Sequence, residues 1–189
     1  MGAQDSKLFV ISGPSGAGKG TLVTRVRERR SNLGLTVSAT TRAPRKGEVD
    51  GVNYFFLTRE EFDRRVANGE FVEWAEVHGN CYGTLVSEVQ SKLASGSSLI
   101  LEIDVQGALQ VKERFPEAVL IFIKPPSLEV LRERLVGRGT ETPETIELRM
   151  ANAAHELALA DRYDDVVVND DLDRATDELV RVLDMHERI

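Results

Sequence analysis

The clearest chemical signal in the sequence is a glycine-rich loop that ends in a lysine, GPSGAGKGT at residues 13–21. Glycines permit backbone turns with positive φ and leave no side chain in the way of a ligand. Successive N–H groups can therefore converge on an anion at the start of the following helix, and the lysine adds a full positive charge. We predict a triphosphate-binding loop formed by Gly13, Pro14, Ser15, Gly16, Ala17, Gly18, Lys19, Gly20 and Thr21.

The loop departs from the general pattern at one position. The residue after the lysine is usually Ser or Thr, whose hydroxyl holds Mg²⁺, but here it is Gly20. We interpret Thr21 as the nearest hydroxyl and predict that it contributes to a Mg²⁺ site. Which oxygen contacts the metal stays open.

The segment LILEID at residues 99–104 is mostly apolar and has two carboxylates, Glu102 and Asp104, near its end. This is the form of a Walker B strand. In open α/β sheets, ligands bind at the carboxyl ends of the strands. We therefore predict that Asp104 is a second Mg²⁺ ligand. Glu102 lies two residues earlier and would point in the same direction from a strand. The alternative is a pair of ordinary carboxylates at a strand end.

Three arginines near residues 134–149 can neutralise a transferred phosphoryl group. Arg134 and Arg138 are four residues apart on one helix face, Arg138 lies between two glycines, and Arg149 follows on the next helix. Such arginines can close over phosphates as a mobile lid. Surface salt bridges are the alternative role.

A second anion pocket is predicted in the segment 38–85. Two guanidinium groups and two phenols can bind a phosphate, and they belong to Arg42, Arg45, Tyr54 and Tyr82. The same segment contains Ser38, Glu73 and Thr84.

Glu73 is expected to share its strand face with Phe71, Ala75 and Val77, and a carboxylate in apolar surroundings needs hydrogen-bond donors. Guanine offers N1–H and N2–H₂ side by side, whereas adenine has no such pair. Glu76 should point the other way, as a surface charge.

Strand and helix patterns alternate along most of the chain, which predicts an α/β protein. Residues 8–11 are continuously apolar, as in a strand buried on both faces. We expect five core strands, near residues 8–11, 35–38, 99–104, 118–123 and 165–169. A small antiparallel insertion, with strands near 51–57, 71–77 and 81–84, interrupts this order at about residues 38–85.

Composition limits the classes of function. A length of 189 residues corresponds to about one domain, and the net charge of −7 argues against binding to nucleic acid or to an anionic membrane. The only cysteine is Cys81, and neither a signal-peptide core nor an apolar run of about 18 residues is present. We therefore expect a cytoplasmic protein.

The motifs taken together resemble guanylate kinase, a P-loop nucleoside monophosphate (NMP) kinase. They are GPSGAGKGT, SATTRAPRKGEVDGVNYFF, GEFVEWAEVHGNCYGT, LEIDVQG, RLVGRGTET and VVVNDDLD, in this order. The resemblance implies a P-loop NTPase-type parallel five-stranded sheet flanked by helices, a small mixed α/β NMP-binding insertion and a helical lid. It also implies transfer of the ATP γ-phosphate to GMP, giving ADP and GDP, with Mg²⁺.

In a single domain, the resemblance divides the chain into a core (1–37, 86–133 and 150–189), a GMP-binding insertion (38–85) and a lid (134–149). It assigns guanine contacts to Ser38, Glu73 and Thr84, and GMP-phosphate contacts to Arg42, Arg45, Tyr54 and Tyr82. Glu102 and Asp104 are also assigned to the GMP site, and Asn169 to the ATP site. The catalytic residues would be Lys19, Arg42, Arg134, Arg138 and Arg149.

Three positions differ from the usual family pattern: Gly20 replaces Ser, Glu102 replaces Asp and Cys81 replaces Tyr. The resemblance leaves two alternative functions, a scaffold that retains the fold to bind phosphopeptides and a kinase for another acceptor such as a ribose bisphosphate. The intact loop lysine argues against the scaffold. A kinase for another acceptor would not explain a carboxylate placed to bind guanine at Glu73. We expect dGMP as a further acceptor. The sequence does not identify the ribose contacts. The oligomeric state stays open.

Overall fold

A parallel sheet of five strands forms the centre of the computed structural model, which describes residues 6–77, 79–137, 139 and 142–188. The strands are β1 (Leu8–Ser12), β2 (Gly34–Leu35), β3 (Ala39–Thr40), β4 (Phe55–Phe56), β5 (Phe71–Val77), β6 (Asn80–Leu85), β7 (Leu99–Glu102), β8 (Val119–Lys124) and β9 (Asp165–Val168). The helices are α1 (Lys19–Arg29), α2 (Arg59–Ala67), α3 (Val86–Ala94), α4 (Val105–Arg114), α5 (Leu128–Gly137), α6 (Pro143–Leu157) and α7 (Leu172–Glu187).

The central sheet has the order β2-β7-β1-β8-β9, with all neighbouring pairs parallel. Because β1 lies in the middle, both of its faces are covered. Phe9 and Ile11 pack in a cluster with residues of α1 and α7, whereas Leu8 and Val10 pack in another with residues of α3 and α4. This two-sided burial explains the continuous apolar run and confirms the predicted α/β class.

The insertion contains a second sheet, of order β4-β3-β6-β5. The expectation of a purely antiparallel insertion is wrong, because β3 and β4 pair in parallel while the other two pairs are antiparallel. Helix α2 covers this sheet and stacks Phe62 on Phe71, with ring centroids 4.3 Å apart. The insertion thus has a small core of its own.

Two predicted strands are shorter than expected because side chains bind their backbone groups. The strand expected at 35–38 ends at Leu35, since the N–H of Val37 donates instead to Glu88 on α3. The strand expected at 51–57 is reduced to Phe55–Phe56, because residues 51–53 form turns and the Asn53 side chain accepts a hydrogen bond from the N–H of Val49.

The strand expected to reach Asp104 ends at Glu102. Asp104 is the N-cap of α4, and its Oδ1 accepts a hydrogen bond from the N–H of Gly107 at 2.7 Å. Thr58 and Thr142 are the N-caps of α2 and α6, and each side chain accepts a hydrogen bond from the N–H three residues later. Side-chain caps therefore fix the starts of α2, α4 and α6, whereas α1 and α3 begin without one.

The described helices include none with the length and apolar character that a transmembrane span requires.

Candidate active site

The loop after β1 follows a path that only glycine can take at two points. Gly13 and Gly18 have φ values of 142° and 92°. A Cβ atom would lie 2.3 Å from the carbonyl oxygen of Ile123 at the first position, and 2.3 Å from Nδ2 of Asn169 at the second. The loop is therefore held tightly between β8 and the segment after β9.

Lys19 begins α1 and folds back over the loop. Its Nζ donates hydrogen bonds to the carbonyl oxygens of Gly13 at 2.6 Å and Pro14 at 3.1 Å. A cavity of about 330 Å³ adjoins it, lined by Ser15, Gly16, Gly18, Lys19, Gly20, Thr21 and Glu102. A lysine charge and a helix N-terminus around one cavity form an anion site.

Glu102 enters this cavity from β7. Its carboxylate oxygens would lie 3.4 and 3.7 Å from a Cβ atom at Gly20. The side chain is exposed overall, yet burial at its carboxylate end raises the pKa, and the charge of Lys19 opposes that rise. A Cβ atom at Gly20 would therefore make ordinary van der Waals contact with this carboxylate.

Two of the predicted lid arginines contact the loop region. Arg149 on α6 donates to the hydroxyl of Ser15, and Arg134 on α5 donates to the carbonyl oxygen of Asn169 at 2.8 Å. The buried Asn169 donates to the carbonyl oxygen of Ala17 at 2.8 Å. Arg138 lies outside the described residues.

These contacts border a second cavity, of about 460 Å³, beside the phosphate loop. Its lining comes from the loop, from α5 and from the start of α7, namely Gly16, Gly18, Thr21, Arg134, Gly137, Asn169, Asp170 and Leu172. This cavity is therefore assembled from three separate parts of the chain.

The insertion brings Arg42 together with the two predicted tyrosines. The Arg42 guanidinium carbon lies 5.4 Å from the Tyr54 ring centroid, and the Tyr54 and Tyr82 rings meet edge to face at 6.3 Å. Arg45 is exposed on the following loop, and its N–H donates to Glu48.

Glu48, which no sequence pattern indicates, binds Arg42 through both carboxylate oxygens at 2.9 and 3.1 Å. The pKa of Glu48 is lowered, mainly by this arginine and then by the N–H of Arg45. An acidic residue six positions after an arginine carries no periodic signal in a loop, so sequence reasoning could not identify the pair.

Glu73 is buried, with 8% of its surface exposed, and Thr84 donates to its Oε1 at 2.8 Å. Burial raises the pKa of Glu73 to about 7, and the nearby charge of Asp104 adds to the rise, while the Thr84 hydroxyl opposes it. A half-satisfied carboxylate of this kind is poised to accept further donors.

A β-bulge gives Glu73 its direction. Phe71 pairs with Leu85 and Glu73 with Thr84, so two residues of β5 face one step of β6. Phe71 then packs on α2, whereas Glu73 approaches α4, so the expectation that they share one strand face is wrong. Val77, the other end of that expected face, has a side chain outside the described part. Bulges often redirect side chains beside active sites.

Asp104 lies next to this pocket. A Cβ atom at Gly107 would be 3.3 Å from Oε2 of Glu73 and 3.6 Å from Oδ1 of Asp104. The glycine thus lets two carboxylates approach the start of α4. Ser38, half-buried before β3, contributes its carbonyl oxygen to a hydrogen bond with the N–H of Phe55.

Comparison with known protein families decides between the possible kinases. The family model described as guanylate kinase matches residues 5–186. The chain belongs to the guanylate kinase family. Members of this family are nucleoside monophosphate kinases that phosphorylate GMP with ATP.

Individual guanylate kinases align over nearly the whole chain. The guanylate kinase of Gloeobacter violaceus is 57% identical over 178 residues, covering 94% of this chain and 87% of that protein. The guanylate kinase of Halalkalibacterium halodurans is 52% identical over 183 residues, covering 97% and 90%. The crystal structure of guanylate kinase from Anaplasma phagocytophilum superposes with a TM-score of 0.74 at 36% identity, covering 97% of this chain and 87% of that one.

Proposed function

We propose that this protein transfers the γ-phosphate of ATP to GMP, forming ADP and GDP in purine nucleotide metabolism. The observation that carries the proposal is the pairing of two pockets in one guanylate kinase fold. One is a lysine-bearing phosphate loop, and the other is a buried carboxylate, Glu73, hydrogen-bonded to Thr84. The first suits a triphosphate and the second suits the adjacent N–H donors of guanine.

On the donor side, the loop N–H groups, Lys19, Arg134 and Arg149 surround the triphosphate, and Asn169 borders the cavity for its nucleoside. Arg138 is assigned to the same group from its sequence position. Their positive charges stabilise the negative charge that develops on the transferred group. The phosphate oxygen of GMP is itself a nucleophile, so catalysis consists of alignment and charge stabilisation, without a covalent enzyme intermediate.

The donor set near the loop fits Mg²⁺, because Glu102 and Thr21 offer hard oxygen ligands in one cavity beside Lys19. Among the described residues, no group of three or more histidine, cysteine or acidic side chains is arranged to hold a metal. Mg²⁺ commonly takes one or two protein ligands plus phosphates and water, and it neutralises phosphate charge when bound. We assign it to Thr21 and Glu102. For Asp104, which caps α4 beside Glu73, a metal role stays a prediction.

On the acceptor side, Arg42, Arg45, Tyr54 and Tyr82 bind the GMP phosphate. Glu73, Thr84 and Ser38 bind guanine, with Asp104 beside them. Glu48 holds Arg42 in place before GMP arrives, through the two hydrogen bonds described above. The insertion (38–85) and the lid (134–149) close when both nucleotides are present, which limits ATP hydrolysis in the absence of GMP.

The proposal is tested with the purified protein, ATP, Mg²⁺ and a panel of acceptors in an assay coupled to ADP formation. GMP should support turnover at least about 10²-fold better than AMP, because adenine lacks the paired donors that Glu73 requires. A ribose bisphosphate should give no turnover. Absence of GDP formation from GMP would contradict the proposal. We place the reaction in the cytoplasm, consistent with a single buried cysteine.

A further inference from the structure

A cavity of about 340 Å³ lies between the start of α4 and the C-terminal half of α6. It is lined by Asp104, Val105, Gln106, Asn152, His155, Glu156 and Leu159. Apart from Asp104, none of these residues has a role in the function proposed above. The α6 side of the cavity is polar, with Asn152, His155 and Glu156.

The cavity adjoins the pocket around Glu73. It shares Asp104 with the surroundings of Glu73, since both carboxylates approach Gly107 within 3.6 Å of a Cβ position there. Burial raises the pKa of Glu156, the charge of Lys19 opposes the rise and Asp104 adds to it, so Glu156 is within electrostatic reach of both.

Glu156 is half-buried, and in the described part of the chain no side chain or backbone N–H donates a hydrogen bond to its carboxylate. Partly buried carboxylates ordinarily have donors, so the arrangement suits a ligand that brings them. A ribose supplies two adjacent hydroxyl donors. Acidic residues bind ribose hydroxyls in this way in dinucleotide-binding folds.

We propose that this cavity holds the ribose of the acceptor nucleotide and that the Glu156 carboxylate accepts hydrogen bonds from its 2′- and 3′-hydroxyl groups. The sugar is attached directly to the base, and the cavity lies beside the proposed purine pocket, with Asp104 common to the surroundings of both. Asn152 offers an amide at the same wall. This inference rests on the proposed use of GMP and adds a determinant of specificity, a preference for GMP over dGMP, which is then a poorer acceptor.

The first test compares GMP, 2′-deoxy-GMP and 3′-deoxy-GMP as acceptors of the wild-type protein. A hydrogen bond from a hydroxyl to a carboxylate corresponds to about a tenfold or larger difference in kcat/KM. We expect GMP to exceed at least one deoxy analogue by about that factor. Equal use of all three within about twofold would overturn the inference without any variant being made.

The second test measures the same ratios for Glu156→Gln and Glu156→Ala. Because an amide oxygen is a weaker acceptor than a carboxylate, the ratio of GMP to its deoxy analogue should fall by about threefold in the first variant and approach one in the second. The kcat/KM for GMP should decrease, whereas the kcat/KM for the deoxy analogue should stay about the same. Glu113→Gln, an exposed residue on α4, is the control and should keep the wild-type ratio.

A role for Glu156 in orienting Lys19 predicts a different result. Both acceptors would then lose activity equally and the ratio would stay at its wild-type value, which would overturn the ribose assignment. The wild-type assay with GMP separates this outcome from failure of the proposed function. If GDP is formed and the ratios do not respond to Glu156, only the ribose site is wrong, whereas no GDP at all would remove both.

Discussion

The phosphate loop and the proposed purine pocket around Glu73 are built from different parts of the chain. In the loop, residues 13–21 provide one lysine and backbone N–H groups at every position except Pro14, and the direction of these groups is set by φ values that only glycine adopts readily. In the purine pocket, Glu73 and Thr84 come from neighbouring strands, Gly107 comes from a helix of the core, and a β-bulge aims the carboxylate.

The difference shows in how each pocket treats charge. The loop places a positive charge beside a helix N-terminus, and both stabilise a bound anion at any ordinary pH. The purine pocket buries a carboxylate without a cation, which raises its pKa to about 7. The loop therefore favours an anion without further change, whereas the Glu73 carboxylate needs more hydrogen-bond donors, which a guanine base would supply.

The largest expected effect separates the two pockets through Lys19. Lys19→Met removes the positive charge beside the transferred phosphate and should lower kcat by about 10³-fold, while GMP binding measured by calorimetry changes little. Thermal unfolding should shift only slightly. If Lys19 only holds the loop together through Gly13 and Pro14, stability would fall and kcat would remain within about tenfold of wild type.

The next effect concerns Glu73. Glu73→Gln presents an amide N–H₂ to the N–H groups of guanine, so kcat/KM for GMP should fall by about 10²-fold while KM for ATP stays within about twofold. Steady-state kinetics with each nucleotide varied in turn measures both.

Glu76→Gln is the matched control on the same strand. Glu76 is exposed and pairs with Arg59 at the surface, at 3.1 Å. It should leave both constants near wild type. Equal losses for ATP and GMP in the Glu73 variant would mean that Glu73 supports the fold rather than reading the base.

The smallest effect is a dependence of stability on pH. Since the pKa of Glu73 is about 7 in the folded protein and 4.5 ordinarily, the folded state retains a proton that the unfolded state has lost. Its contribution to the free energy of unfolding is therefore full below pH 4.5 and is lost as pH rises through 7. Between pH 5.5 and pH 8 the loss should be about 2 kcal/mol, at 1.36 kcal/mol per pKa unit.

Urea unfolding of the ligand-free protein at the two pH values measures this loss. Glu73→Gln, which resembles the protonated form at every pH, should have a correspondingly flatter dependence. An identical dependence in wild type and variant would show that Glu73 does not titrate in this range.

Local patterns predicted much of the fold. The apolar run of β1, the caps at Thr58 and Thr142, and the glycine–lysine loop are read from neighbouring residues, because each depends on backbone geometry over a few positions. Predictions failed where distant segments compete for a backbone group, as when Glu88 takes the N–H of Val37.

The sequence by itself determined that a phosphate loop lies on a buried strand and which residue types surround a second pocket. Only the tertiary structure decided how that pocket is arranged. A bulge directs Glu73 and Phe71 to different faces, Asp104 caps α4, and Glu48 accepts hydrogen bonds from Arg42. The physical reason is the separation along the sequence between the groups that form each pocket. A loop of consecutive N–H groups carries its geometry within the chain, whereas a pocket of side chains takes its geometry from packing between segments far apart in sequence.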